Sequence, residues 1–228
     1  MRRLAPPGAP LNRRTAFLTT LAVTTALTLT ACGSEEPDAP AKPAAGESAP
    51  QAPPPTSTAS TPTASESSGR PAITFPSDAK NVFEYEKTGD SAKDAALRDS
   101  TLGVNSVDEA IFKGSTDTEA LGFYNVDRAL SGAIVFVNRY IKANDTWVGE
   151  TRYFGYEVRL SGGHKAYVTY CSDESKSFLK NRKTGEVDNT PTTADSYVLY
   201  HTALTRNADG VWQTTDVASD RGSKKCQP

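Results

Sequence analysis

The sequence is poor in the residues that enzymes use most often. It contains only two histidines, His164 and His201, and three cysteines in 228 residues. No histidine or cysteine stands at the spacing of a zinc site, and neither a phosphate-binding glycine loop nor the Gly-x-Ser-x-Gly turn of serine hydrolases is present. The sequence therefore predicts no catalytic set, no bound metal and no cofactor.

A long hydrophobic run is also absent. Residues 16–30 are uncharged, but this run is shorter than the ~20 apolar residues of a spanning helix and contains several threonines. It follows two arginine pairs, Arg2-Arg3 and Arg13-Arg14. A basic head, an apolar middle and a small-residue end are typical of a secretion signal, with a transmembrane helix as the alternative interpretation.

A cysteine stands at the end of this run. Residues 29–32 read Leu-Thr-Ala-Cys, which resembles the lipobox of bacterial lipoproteins. The resemblance implies that residues 1–31 are a signal peptide and that Cys32 carries palmitate-type acyl chains. These chains would anchor the protein at the extracellular face of the cell membrane. The pair Arg13-Arg14 also resembles a twin-arginine export signal, so the general secretory and twin-arginine routes both stay open.

The next segment lacks bulky apolar side chains. Residues 33–72 hold nine of the fifteen prolines and no Val, Ile, Leu, Met, Phe, Tyr or Trp. Such a segment cannot bury enough apolar surface to offset the entropy of ordering. We therefore expect residues 32–72 to form a lipid-anchored, disordered linker. Ile73 is the first bulky apolar residue after it, so the folded domain is predicted to span residues 73–228.

An excess of basic charge is missing as well. Cleavage before Cys32 removes four of the 25 Lys and Arg residues and no acid, which leaves 21 basic against 27 acidic residues and a formal charge of −6. Net acidity repels nucleic acids and anionic head groups. We expect no nucleic-acid partner. The expected partners are the membrane, through the N-terminal lipid, and an unknown small molecule or envelope protein.

The two remaining cysteines, Cys171 and Cys226, form an even pair. Outside the cytoplasmic membrane such a pair indicates a disulfide. A metal site and a reactive thiol are the alternatives.

The first half of the predicted domain is patterned for helices. Apolar residues recur at helical spacing over residues 94–113, and Asp127 is the predicted cap of the helix with the strongest apolar face in the chain. Shorter helices are predicted over residues 77–85, capped by Ser77 or Asp78, and over 119–124 behind a capping box.

The second half is patterned for strands. Strict alternation over residues 150–160 ends at a Ser-Gly-Gly turn, and a partner strand leads to Cys171. Further strand elements are predicted near residues 178–187, 197–204 and 211–217. Helices followed by an antiparallel meander predict an α+β fold, with the helices on one face of the sheet.

This order resembles the NTF2-like cone of ketosteroid isomerase and the SnoaL-like polyketide cyclases. Several stretches resemble secreted, Streptomyces-like actinobacterial lipoproteins of unknown function. They are residues 73–76 (Ile-Thr-Phe-Pro), 170–175 (Tyr-Cys-Ser-Asp-Glu-Ser), 183–185 (Lys-Thr-Gly), 209–212 (Asp-Gly-Val-Trp) and Cys226. The resemblance implies that Cys171 pairs with Cys226 and that a pocket lies between the helices and the curved sheet.

Three residues are candidates for this pocket: His201, Tyr156 and Trp212. His201 could face the pocket from mid-strand, with Glu157 or Asp216 as its partner, although a structural histidine is the alternative. His164, in a glycine turn, is expected to be exposed. Aromatic residues on strands are also explained by core packing. The predicted function is a binding or interaction module. The alternative is an isomerase or cyclase that uses His201 with a carboxylate.

Overall fold

Residues 69–228 are described by a computed structural model of the chain. The predicted signal peptide, Cys32 and residues 33–68 of the predicted linker lie outside this range. One strand precedes three helices, and the other strands follow. The elements are β1 (Ala79–Phe83), α1 (Ser91–Lys113), α2 (Glu119–Tyr124), α3 (Asp127–Ala143), β2 (Asp145–Ser161), β3 (Lys165–Asn181), β4 (Val187–Asp188), a 3-10 turn (Ala194–Ser196), β5 (Tyr197–Arg206) and β6 (Trp212–Arg221).

The strands form one sheet in the order β1-β2-β3-β5-β6, and β4 pairs with β3. Every pair is antiparallel except β1 with β2, which is parallel. Helices α1 and α3 pack against β2 and β6 across the curved sheet. The predicted α+β fold class, with helices packed on a curved and largely antiparallel sheet, is confirmed.

Helix α1 is well defined at both ends. The Asp90 carboxylate accepts hydrogen bonds from two backbone amides of the first turn, at 2.9 and 3.2 Å, and so caps the helix. At the other end Gly114 takes the left-handed conformation, with φ of 62°. The Gly114 amide donates to the backbone oxygen of Ile111 at 3.0 Å, and the Arg182 guanidinium donates to the backbone oxygens of Ile111 and Phe112. The predicted helix over residues 94–113 is confirmed.

The short helix predicted over residues 77–85 is wrong. Residues Ala79–Phe83 form the edge strand β1, in which Val82 pairs with Arg152 of β2. The Phe83 ring stacks on Tyr153 with 5.0 Å between centroids. A segment of five residues takes its conformation from pairing with the sheet, and β-branched and aromatic residues fit a strand well.

Helices α2 and α3 are in their predicted places, but their caps differ from the prediction. Thr118 precedes α2 without a side-chain capping bond, so the predicted capping box does not form. Val126 occupies the N-cap position of α3 without a side-chain capping bond, and Asp127, the predicted cap, is the first helical residue, with φ of 52°. The predicted apolar face of α3 packs in the cluster around Trp147, as expected for Leu130, Ala133, Ile134, Val137 and Ile141.

A bulge interrupts the predicted alternation of β2. Gly155 has a φ of +65°, and the pairing register with β3 shifts between Phe154 and Glu157. Tyr153, before the bulge, and Tyr156, after it, consequently pack on the same hydrophobic cluster. Phe154 packs in a separate cluster with the cysteine pair. The alternation predicted over residues 150–160 would place Phe154 and Tyr156 on one face, and this part of the prediction is wrong.

Strand β3 is longer than predicted. The partner strand that was expected to end at Cys171 continues to Asn181, so the separate element expected near residues 178–179 belongs to the same strand. The chain then turns and returns as β4. Cys171 forms a disulfide with Cys226, with 5.5 Å between the Cα atoms. The predicted pairing is confirmed, and it fastens the C-terminal tail to the middle of the sheet.

The domain includes residues that precede its predicted start at Ile73. Arg70 makes a two-point contact with the fully buried Asp99: Nη1 lies 2.7 Å from Oδ1, and Nη2 lies 3.1 Å from Oδ2. Its guanidinium also lies 5.9 Å from the centroid of the Tyr124 ring. Because the boundary prediction used only bulky apolar residues, it placed this arginine in the linker.

Candidate functional site

A cavity of about 230 Å³ lies between α1, α3 and the sheet. Helix α1 contributes to two separate hydrophobic clusters. Ala96 and Leu97, near its start, pack with one end of the sheet. Ala110 and Ile111, near its end, pack around Trp147. The cavity is lined by the middle turns of the helix, between these two cores.

Small residues on the helices leave this space open. The lining residues of the helices are Ser100, Gly103, Val104, Val107 and Asp108 of α1 and Arg128, Ala129, Gly132, Ala133 and Phe136 of α3. A Cβ atom built on Gly132 meets no heavy atom within 4 Å, whereas one on Gly103 lies 3.1 Å from the Thr214 hydroxyl oxygen. A side chain added at Gly132 would therefore extend into open space.

The sheet closes the cavity with tyrosines and polar residues. The lining residues of the strands and of the loop before α3 are Asn125, Tyr153, Tyr170, Glu174, Tyr200, Thr202, Thr214, Asp216 and Val217. The Tyr170 ring stacks on Tyr200, with centroids 5.1 Å apart, and meets Tyr153 edge-on at 6.0 Å. Burial raises the pKa of the Tyr170 hydroxyl well above its ordinary value, and the nearby Tyr200 and Asp108 raise it further. Tyr170 is therefore neutral near pH 7.

Asp108 places a buried carboxylate in the wall of the cavity. The residue is 3% exposed. Its Oδ1 accepts a hydrogen bond from the Trp147 indole nitrogen at 3.1 Å, and its Oδ2 accepts one from Asn81 Nδ2 at 2.8 Å. Asn81 Nδ2 also donates to Asn105 Oδ1 at 2.9 Å. These donors fix the orientation of the carboxylate and stabilise its charge.

Glu174 is a second buried carboxylate on the wall, contributed by β3. Its Oε2 lies 2.9 Å from Nη2 of Arg221, and its Oε1 accepts from the Ser172 hydroxyl at 3.4 Å. Arg221 does not line the cavity, but its positive charge pairs with the negative charge of Glu174, which does.

An ion pair marks the solvent side of the cavity. Arg128, in the first turn of α3, bonds to Asp216 of β6. The two side chains are 76% and 43% exposed. Exposed ion pairs contribute little to stability, so the contact is free to open without unfolding the domain.

The three residues predicted for the pocket lie outside its lining. His201 is exposed, and its Nδ1 lies 3.2 Å from the Thr169 hydroxyl oxygen. Its strand neighbours Tyr200 and Thr202 line the cavity, and because side chains alternate along a strand, His201 points to the opposite face. Tyr156 and Trp212 pack in the hydrophobic cluster at one end of the sheet.

The predicted partners of His201 have other contacts. Glu157 is exposed and lies 3.9 Å from the Lys225 ammonium, and Asp216 bonds to Arg128. His164 is exposed in the turn between β2 and β3, as expected.

Neither a metal site nor a membrane span is found in residues 69–228. No group of three or more His, Cys, Asp or Glu side chains in this range could hold a metal ion. The helices of the same range are too short or too polar to cross a membrane.

Comparison with known proteins finds similarity in structure only. No family model matches the sequence, and no curated protein matches it significantly. A ketosteroid isomerase-like protein from Erwinia carotovora atroseptica is 14% identical, with a TM-score of 0.40 over 59% of this chain and 98% of its own. A protein from Novosphingobium aromaticivorans, provisionally assigned as an aromatic ring hydroxylase, is 13% identical, with a TM-score of 0.39 over 56% of this chain and 89% of its own. A provisionally assigned ketosteroid isomerase from Shewanella frigidimarina is 15% identical, with a TM-score of 0.32 over 57% and 98%.

The sequence did contain signals for the two buried carboxylates. Asp108 follows Val104 by four residues and precedes Ile111 by three, so it lies on the apolar stripe of α1. Glu174 has the same strand phase as Val168 and Tyr170, which are buried. A charged residue at a position that the pattern assigns to the core was the feature that could have identified this site.

Proposed function

We propose that the domain is a small-molecule binding module, held at the outer face of the cell membrane by lipid on Cys32. The observation that supports binding is the cavity, which two helices and four strands enclose around tyrosine rings and two buried carboxylates. Mostly apolar walls with a few placed polar groups are the usual composition of small-molecule sites. The volume suits a compact ligand, because sites for drug-sized molecules usually measure ~300–1,000 Å³.

The proposed location is supported by the sequence. A basic head, a short uncharged run and Cys32 in a Leu-Thr-Ala-Cys context have the order of a lipoprotein signal. Residues 33–68 would then link the lipid to the domain. In this arrangement the cavity samples molecules outside the membrane.

We do not propose an isomerase or cyclase reaction through His201. That reaction needs the imidazole within hydrogen-bond reach of a bound substrate. His201 lies on the opposite face of the sheet from the cavity, so its nitrogens cannot reach a molecule bound there.

The test is to fill the cavity without disturbing the fold. Gly132→Leu places an isobutyl group in open space on the middle of α3. It also removes a glycine from the helix interior, and this removal should stabilise the helix by about 0.5–1 kcal/mol. Gly122→Leu is the matched control. It makes the same exchange at an exposed position of α2, where a Cβ also meets no atom within 4 Å.

Binding is measured by NMR against a library of small soluble organic molecules, with the chain from residue 33 onward. We expect shared hits for the unmodified protein and Gly122→Leu, and loss of those hits for Gly132→Leu at unchanged or higher melting temperature. If Gly132→Leu keeps the same hits, the molecules bind elsewhere and the cavity is not the site.

A further inference from the structure

The charged residues that line the cavity are mostly acidic. They are Asp108, Glu174, Asp216 and a single base, Arg128. Arg128 is paired with Asp216 at the solvent side, and Glu174 is paired with Arg221. Asp108, which is 3% exposed, accepts hydrogen bonds from the Trp147 indole and the Asn81 amide. The cavity is therefore lined by three carboxylates and one base.

Aromatic rings stand beside these carboxylates. Tyr153, Tyr170, Tyr200 and Phe136 all line the cavity. Tyr156 and Tyr200 both stack on Tyr170, with centroids 5.0 and 5.1 Å away. Asp108 and Tyr170 line the same cavity, and the negative charge of Asp108 is one cause of the raised pKa of Tyr170. Phenol oxygens, ring faces and a carboxylate all attract a positive charge.

We propose that the ligand of this cavity is a small organic cation, an ammonium group on a compact apolar body. This inference rests on the proposed binding function and adds the ligand's charge. The ammonium group would lie near Asp108 and the Tyr170 hydroxyl, and the apolar body would contact Val104, Val107 and Phe136. An anionic head group in the same place would face Asp108 across a low-dielectric space and would be repelled.

The experiment compares three probes of one shape and three charges. Cyclohexylammonium, cyclohexanol and cyclohexanecarboxylate share a six-membered ring and are soluble in water. Each is titrated into the chain from residue 33 onward, and the dissociation constant is taken from NMR shifts of residues that line the cavity. We expect the ammonium to bind at least roughly tenfold more tightly than the alcohol, with the carboxylate weakest.

Two variants locate the charge effect. Asp108→Asn should reduce the preference of cyclohexylammonium over cyclohexanol to about threefold or less. Asp117→Asn, in the exposed loop after α1, is the control and should keep the full preference. If Asp108→Asn does not fold, the three-probe comparison on the unmodified chain still decides the proposal.

The outcomes separate the ligand's charge from the binding function. If cyclohexanol or the carboxylate binds as tightly as the ammonium, and Gly132→Leu abolishes that binding, the cavity is a binding site and the cation proposal is wrong. If none of the three probes shifts any lining residue, the cation proposal fails. If the library screen finds no cavity ligand either, the proposed function fails with it.

Discussion

Removal of the Arg70 side chain should destabilise the domain strongly, because it breaks a two-point contact with a buried carboxylate. Asp99 is fully buried, and Arg70, with its side chain 15% exposed, contacts both carboxylate oxygens. The backbone nitrogen of Trp212 donates to the same carboxylate at 2.9 Å, which connects the start of the domain to β6. Arg70→Ala leaves a buried charge with weaker partners.

The expected cost of Arg70→Ala is about 3 kcal/mol, the lower end of the range for removing one partner of a buried pair. The lower end applies because the Trp212 amide and Arg98, whose Nε lies 3.3 Å from Asp99, still contact the carboxylate. In a domain of this size, the loss corresponds to about 6–12 °C in melting temperature. Burial lowers the pKa of Arg70, but its bonds to Asp99 and Tyr124 more than offset this and raise it overall. The Arg70 charge therefore contributes at neutral pH, and its contribution is lost as the pH rises through the guanidinium pKa in strongly alkaline solution.

The assay is urea unfolding of the chain from residue 33 onward, followed by circular dichroism. Arg98→Ala is the matched control: it removes a neighbouring arginine that contacts the same carboxylate but is 49% exposed, and it should cost less than about 1 kcal/mol. A chain that starts at residue 69 should be as stable as one that starts at residue 33, whereas a chain that starts at Ile73 should show the Arg70→Ala loss. Equal stability of Arg70→Ala and the unmodified protein would refute this reasoning.

Three further predictions concern the disulfide, the buried tyrosines and the anchor. A double Cys→Ser change at Cys171 and Cys226 should lower the free energy of unfolding by about 2–4 kcal/mol, because the bond closes a loop with a sequence separation of 55. The far-ultraviolet spectrum should stay unchanged, and loss of its sheet signal would contradict this prediction. Burial raises the pKa values of Tyr156 and Tyr170, so stability should fall above about pH 10, where these tyrosines ionise in the unfolded chain but not in the folded one. In Tyr170→Phe this fall should be shallower, and a pH profile identical to that of the unmodified protein would argue against a raised pKa for Tyr170. Cys32→Ala should abolish labelling by a radioactive fatty acid, and a labelled variant would disprove the lipid anchor.

Much of the fold followed from periodicity, because the longer elements carry their own pattern. The stripe of α1 and the face of α3 repeat over several turns, and the hairpin between β2 and β3 has a glycine turn. Segment 79–83 failed because five residues contain too little repeat to distinguish a helix from an edge strand. The alternation of β2 failed at Gly155 because a bulge resets the phase, and no pattern of polar and apolar residues marks where it occurs.

The site was harder to predict than the fold. His201 was predicted to face the pocket because histidine is rare in this sequence and can titrate. Its neighbours on β5, Tyr200 and Thr202, are buried, so the alternation of side chains along the strand places His201 on the outer face. Asp108 was visible as a charge on an apolar stripe, yet only the packing shows that it borders a cavity as well as a buried hydrogen-bond network. Gly103 and Gly132 line the cavity from two different helices, and a linear pattern does not record that they share it.

The central claim is that the cavity between α1, α3 and the sheet holds a small molecule. The most direct measurement is a set of intermolecular nuclear Overhauser effects between the ring protons of cyclohexylammonium and the tyrosine rings of the protein. The account predicts effects to Tyr170 and Tyr200, which line the cavity, and none to Tyr167, which is 48% exposed on the surface. Effects to Tyr167 without effects to Tyr170 or Tyr200 would contradict it.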